Sequence, residues 1–278
     1  MTNEITRKEN TAIEEQIEIP DYGEKRRQAL AEIDNAKFGW FHIRTCVVAG
    51  VGFFTDAYDL FAINIVSTML GFVYFNAEKL KLTNPPANID LGIKVSAPIG
   101  TLIGQFAFGV IADLLGRKRV YGIELMIIIV TTIGASLSAS GPAVTIQGVI
   151  IFWRVIMGIG VGGDYPLSAI ITSEFATTTR RGAMMAAVFA MQGFGILSAA
   201  LVSVIVLAAL KEPIEKDTQN IDYAWRIVTG VGAIPGFVAL YFRMTIPETP
   251  RFTMDIERNV DQAVQDINSV LQTGSYKD

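Results

Sequence analysis

Six apolar runs, separated by short polar stretches, leave this chain few folds to choose from. They lie at roughly 45–75, 94–115, 120–139, 145–172, 182–210 and 224–243, with polar intervals at 76–93, 116–119, 140–144, 173–181 and 211–223. Soluble domains do not carry several separate apolar runs of about 20 residues each. In lipid every backbone N–H and C=O must be bonded within the protein, and helices of this length satisfy that condition. The predicted fold is an all-α membrane protein with six transmembrane helices. Hydrophobic residues make up 51% of the chain and charged ones 18%, and two polar ends pull that apolar share down. A net charge of −4, with no basic cluster interleaved with aromatics, gives no footprint for a nucleic-acid partner. Cys46 stands alone, so no internal disulfide forms, and His42 is the single histidine, so a histidine-based metal site is not expected. No nucleophile–base pair, metal cluster or phosphate loop is visible; neither enzyme chemistry nor a cofactor is implied. The first 40 residues alternate acidic and basic groups and lack the short apolar stretch of a signal peptide, which reads as a solvated tail.

Positive charge orients the bundle. Arg26, Arg27, Lys37 and Arg44 precede the first span; Arg117, Lys118 and Arg119 lie between spans two and three; Arg180 and Arg181 lie between four and five; Arg243 and Arg251 follow span six. The alternate loops carry Lys79, Lys81, Lys94, Lys211 and Lys216. The positive-inside rule then places both termini in the cytoplasm.

Ionisable groups inside the spans are the functional candidates. Asp164 sits within Gly158-Ile159-Gly160-Val161-Gly162-Gly163-Asp164-Tyr165-Pro166-Leu167-Ser168, at a depth where a charge costs at least ~2.5–3.5 kcal/mol on insertion scales. A proton, ion or substrate site is the working expectation, with a purely structural hydrogen-bond network as the alternative. In span one, Asp56 and Asp59 are three apart and fall on nearly the same helix face. Two close carboxylates do not both ionise cheaply in a low dielectric, so one of them is expected to take and release a proton, unless both serve a polar network without titrating. Gly50-Val51-Gly52 before Asp56 parallels Gly160-Val161-Gly162 before Asp164, a weak likeness that two three-helix repeats would explain. Small residues where helices pack closely are the plainer explanation. Gly109 to Arg119 matches the GxxxDxxGRxR pattern of the major facilitator superfamily. In it, Gly109 lets a neighbouring helix approach, Gly116 makes the turn, and Asp113 pairs with a basic residue as a conformational latch alongside Arg117. Arg154 opens RxxxGxGxGG, the superfamily's span-four pattern; Asp56, Asp59 and Glu124 are its candidate partners, and its role reads as structural or gating.

The runs Gly162–Ser168, Ser173-Glu174-Phe175, Arg181-Gly182 and Ala187-Val188-Phe189-Ala190-Met191-Gln192-Gly193-Phe194-Gly195 resemble the fungal and plant inorganic phosphate:proton symporters, as does Phe54-Thr55-Asp56-Ala57-Tyr58-Asp59. Pro247-Glu248-Thr249-Pro250-Arg251 resembles the motif after span six in the wider sugar-porter-like group. The likeness covers about residues 40–255 and implies the N-terminal six-helix half of a major facilitator fold. It implies that Tyr165 and Gln192 hydrogen-bond phosphate, that Asp56, Asp59 and Asp164 carry protons, and that Asp113, Arg117, Arg154 and Glu174 are gating or structural charges. Protonating Asp164 would remove its repulsion of the anion and add a donor. One charge moved through 100 mV is worth ~2.3 kcal/mol, so two or more protons per phosphate would make import into a negative-inside cell downhill. The implied partners are inorganic phosphate, protons and membrane lipid, with the plasma membrane as the site of residence. A carrier for an organic phosphate such as a glycerophosphodiester is the alternative within transport. A non-transporting regulatory or phosphate-sensing subunit is the alternative from another class.

The expected organisation is a cytoplasmic tail at 1–44, a six-helix bundle at 45–246 and a cytoplasmic segment at 247–278 that would begin the central loop of a longer carrier, with a helix near Ala263 to Leu271. The family has twelve spans in two halves. Three explanations of the single half compete: an incomplete product, a half-transporter that pairs with itself or another half, and a regulatory subunit of a full carrier.

Overall fold

Backbone that crosses lipid must bond to itself, and the computed structural model is helical through every apolar run. It describes residues 39–75 and 85–244, together with Arg27, Ala31, Thr253 and Met254. Most of the N-terminal tail, Lys79 and Lys81, the Pro247–Arg251 motif and the helix expected near 263–271 lie outside the described residues.

The helices are α1 (Trp40–Leu70, continued by a π-helical turn Gly71–Phe75), α2 (Ala87–Leu115), α3 (Arg117–Ser136), α4 (Ile146–Phe175), α5 (Arg181–Ala209), the short α6 (Lys211–Lys216), a 3-10 turn at Thr218–Asn220, α7 (Ile221–Val231) and α8 (Ala233–Met244). Among the described residues, six segments are long and apolar enough to cross a membrane, the last being Thr218–Met244. α1, α2, α4 and α5 run 29 to 31 residues, more than the ~20 that hydrocarbon requires.

Two edges differ from the sequence reading for physical reasons. α2 begins at Ala87 rather than 94, because Pro86 supplies a fixed φ at the N-cap and Asp90 in the first turn complements the helix dipole. Asp90 then accepts from Ser67 and from Lys94 Nζ at 2.7 Å, so polar side chains line a true helical turn. The sixth span, expected as one helix, is two. Pro235 cannot donate to the carbonyl of Val231 and its ring crowds that position, and the chain breaks at Gly232.

Span two packs most extensively on span four, and span five packs likewise on span one. Span four also lies on span three, as span one lies on span six, so the pairing pattern of the first three spans recurs in the second three. Glycine makes the closest of these contacts. A Cβ on Gly158 or Gly162 would strike the carbonyls of Ala97 and Thr101, and one on Gly100 or Gly104 those of Val155 and Ile159. At Gly195 it would meet the Phe54 carbonyl. Gly109 is different: no atom lies within 4 Å of where its Cβ would be, so it does not serve the close helix approach expected of it within this bundle.

At the end of the bundle where α7 starts, Asp222 accepts from Tyr74 Oη at 2.7 Å, Trp225 Nε1 at 2.8 Å and Arg226 Nε at 2.8 Å. Arg226 also donates to the Ser138 carbonyl at 2.6 Å, which ties spans one, three and six together. The outward faces are apolar, with Leu102 and Phe106 on α2, Leu197, Leu201 and Val204 on α5, and Phe237 and Tyr241 on α8 exposed. Asp56, Asp59, Glu124, Arg154, Asp164 and Arg243 are buried inside the bundle.

Candidate functional site: a buried charge cluster beside a polar pair

Asp56, Glu124 and Asp164 are 0% exposed, and Arg243 is 2% exposed. They come from α1, α3, α4 and α8. Asp164 Oδ2 accepts from Arg243 Nη2 at 2.6 Å, and Oδ1 accepts from Ser168 Oγ at 2.5 Å, one turn along the same helix. Ser168 is in turn 2.9 Å from Tyr121 Oη. The other arm of Arg243, Nη1, donates to Glu124 Oε1 at 2.8 Å and to the Tyr121 carbonyl at 3.2 Å. Its guanidinium lies over the Tyr121 ring, 3.8 Å from the centroid. Asp56 has neither carboxylate oxygen in a hydrogen bond, and Glu124 Oε2 is also unbonded.

Local sequence explains how such a cluster is assembled. Gly236, Ala239 and Arg243 recur at helical spacing on the buried face of α8, and the small residues let it settle against α3 and α1, from where Arg243 reaches Asp164 of α4. Gly52 on α1 leaves the volume that the ion pair occupies, since a Cβ there would overlap Arg243 Nη2 and Asp164 Oδ2. Thus the Gly50-Val51-Gly52 patch preceding Asp56 does more than bring helices close. A carboxylate and guanidinium taken out of water need this geometry and added donors to offset their desolvation.

Asp59 is buried too but faces other neighbours. Its Oδ2 accepts from Thr132 Oγ1 at 2.9 Å, and it lines a cavity of about 30 Å³ with Arg154, Met157, Trp225 and Thr229. That volume suffices for a water molecule. Arg154 donates from Nε to the Ile93 carbonyl at 2.9 Å, and of its three candidate partners Asp59 is the one that faces it across the cavity. No hydrogen bond joins Asp56 to Asp59: Asp56 lies beside the Arg243 cluster and Asp59 lines the Arg154 cavity.

Tyr165 follows Asp164 by one position and so points to a different side of α4. It is half-buried, packs edge-on against Phe53 with centroids 5.0 Å apart, and accepts from Gln192 Nε2 of α5 at 3.3 Å. The two residues expected to bind an anion are brought together, with the phenol and amide both partly open. At the end of the bundle where α3 starts, Gly116 turns the chain at φ 93°, and Arg117 pairs closely with Glu174 at the end of α4. Asp113 is the more distant partner, 3.9 Å from Arg117 with its side chain 67% exposed, whereas the Arg117–Glu174 pair is close and largely buried.

Sequence reasoning placed Arg243 after span six as a flanking cation; the structure places it inside the bundle, because the helix runs on to Met244 and buries that face. Glu124 was noted only as a possible partner for Arg154, and Tyr121 and Ser168 had no assigned part. The legible signal was a lone Arg at the edge of an apolar run, with Ala239 four residues and Gly236 seven residues before it.

The family described as "Sugar (and other) transporter" matches residues 45–273. The repressible high-affinity phosphate permease of Neurospora crassa is 51% identical over 271 residues, covering 94% of this chain and 47% of its own. The inorganic phosphate transporter PHO84 of Saccharomyces cerevisiae is 46% identical over 255 residues, covering 88% of this chain and 42% of its own. The low affinity inorganic phosphate transporter 1 of Petunia hybrida is 44% identical over 259 residues. The chain thus spans about half the length of the relatives it matches. Among solved structures, the xylose transporter XylE from E. coli in a partially occluded inward-open conformation superposes with a TM-score of 0.66. That match covers 85% of this chain and 58% of the other at 22% identity, a likeness of fold.

Proposed function

The chain belongs to the sugar (and other) transporter family and is a multi-pass membrane protein, and from that premise we propose that it carries out proton-coupled symport of inorganic phosphate, as all or part of the carrier. The observation that carries the reading is the adjacency of a buried, ion-paired Asp164 to Tyr165 on one turn of α4, with Tyr165 half-open and bonded to Gln192 of α5. The names of the relatives supply the substrate; the two polar side chains supply hydrogen-bonding groups of the kind a phosphate oxygen takes. A negative Asp164 repels the anion, and a proton on it lifts that repulsion, so proton and phosphate load together. Asp56 and Asp59 stand on the proton's route, and Arg117–Glu174 latches one end of the bundle. Arg44, Arg117, Lys118, Arg119, Arg180 and Arg181 gather at the end bearing Gly116, which favours a cytoplasmic position for that end and for both termini, in the plasma membrane. The transport unit on this reading pairs the six-helix bundle with a second half, supplied by another chain or a second copy. The bundle is assigned to 45–246, between a tail at 1–44 and a polar segment at 247–278.

Labelled-phosphate uptake in cells lacking their own phosphate carriers tests this at acidic and neutral external pH. The expected result is acid-stimulated uptake that Asp164→Asn abolishes and that a glycerophosphodiester does not compete away. A chain that reaches the membrane and drives no uptake either alone or beside a second half would overturn the proposal.

A further inference from the structure

We infer that Arg243 is the internal counter-ion of the proton site, a positioning residue that competes with the transported proton for the Asp164 carboxylate. The inference rests on the symport reading above and adds to it a residue on span six. Asp164 is completely buried, and each of its oxygens already has a donor, Arg243 Nη2 at 2.6 Å and Ser168 Oγ at 2.5 Å. Those are the bonds of an ionised carboxylate. The ionisable and polar groups that face it are Asp56 from α1, Glu124 and Tyr121 from α3, Ser168 and Tyr165 from its own helix, and Arg243 from α8. Against α2 the neighbouring contact is apolar, where Gly163 abuts the Phe108 ring.

Three buried acids therefore share one guanidinium among these described residues, and Arg243 reaches two of them. Asp56 is left with no hydrogen bond at all. A proton delivered to Asp164 takes away the carboxylate that Nη2 holds, and Arg243 is then kept by Glu124, the Tyr121 carbonyl and the Tyr121 ring. Because Arg243 lies beyond the break at Gly232, that exchange frees the end of α8 from its ion pair with α4 while its packing on α3 and α1 remains. Proton loading and helix rearrangement become one event at this residue.

The test compares wild type with Arg243→Gln and Arg243→Lys. Phosphate uptake is followed against external pH. In parallel, the infrared carboxylic-acid band of the purified, reconstituted chain, assigned by its loss in Asp164→Asn, is titrated. The expected result for Arg243→Gln is a shift of both profiles to more alkaline pH by ~1–3 units, the effect of removing an opposite charge in direct contact. Arg243→Lys keeps a cation there and restores most of the wild-type profile. If Arg243→Gln does not fold, Arg243→Gln with Glu124→Gln removes a base and an acid together and is expected to shift the band in the same direction. Coincident infrared titrations of wild type and variant overturn the counter-ion role, whatever the uptake. An infrared shift in a chain that moves no phosphate even beside a second half supports the counter-ion and overturns the transport reading instead.

Discussion

Arg243 and Asp164, 79 positions apart in the chain, meet at 2.6 Å with neither side chain exposed. The contact joins the last described helix to the middle of α4 and makes a single guanidinium the hub of a cluster holding Asp164, Glu124 and the Tyr121 ring. Breaking such a pair from one side strands the other charge and costs ~3–5 kcal/mol.

Gly52 gives the ion pair its room, so Gly52→Ala drives a methyl group into Arg243 Nη2 and Asp164 Oδ2. Thermal unfolding in detergent should show a loss of ~1–3 kcal/mol, the usual range for overpacking. Gly182→Ala, whose Cβ meets nothing within 4 Å, should be neutral or slightly stabilising. Equal effects at the two sites would count against the packing argument.

Gly158 and Gly162 carry the contact of α4 with α2 against backbone carbonyls, which cannot rotate aside as a side chain can. Gly158→Ala should therefore force the helices apart and destabilise by ~1–3 kcal/mol, and Gly158→Val by more. Unfolding midpoints of the two variants against wild type decide it. A midpoint unchanged by valine would mean that the helices do not meet so closely in the membrane.

Tyr165→Phe keeps the edge-on ring contact with Phe53 and removes only the hydroxyl; Gln192→Leu removes the amide. If both groups bind phosphate, each variant loses a hydrogen bond to a charged ligand worth ~1.5–3 kcal/mol, or about ten- to a hundredfold in affinity. The unfolding midpoint should move little. Titration calorimetry with inorganic phosphate reads the first quantity, and unaltered affinity in both variants would reduce the pair to an interhelical contact.

Arg117 should be energetically coupled to Glu174 and only weakly to Asp113. A double-mutant cycle on unfolding with Arg117→Ala and Glu174→Gln should return an interaction of ~0.5–3 kcal/mol. The same cycle with Asp113→Asn should return less than ~1 kcal/mol, because that side chain is 67% exposed and 3.9 Å away. The reverse order would make Asp113 the principal latch.

Much of the fold was legible in hydropathy alone. Six runs, their order and the turn at Gly116 are properties of local sequence, and the structure moves their edges by up to seven residues where Pro86 or a polar first turn extends a helix. The break in span six was also written locally, in Pro235, though a hydropathy window passes over it. The site was legible in part: the depth of Asp164, Asp56 and Asp59 marks them as candidates, and all three are buried, while the likeness to phosphate symporters singles out Tyr165 and Gln192. Periodicity says that Asp56 and Asp59 share a helix face, yet it does not say that α3, α4 and α8 divide that face between Arg243 and Arg154.

The sequence by itself determined that the chain crosses a membrane as six helices, and that acids lie where charge is costly, since both follow from how each segment partitions between water and lipid. Only the tertiary structure decided which charge answers which. Arg243 belongs to Asp164 and Glu124, and Arg154 faces Asp59, because helices far apart in the chain stack at glycine-thinned contacts. A charge buried in lipid must find a partner, but the partner is set by packing across the bundle and not by any spacing along one helix.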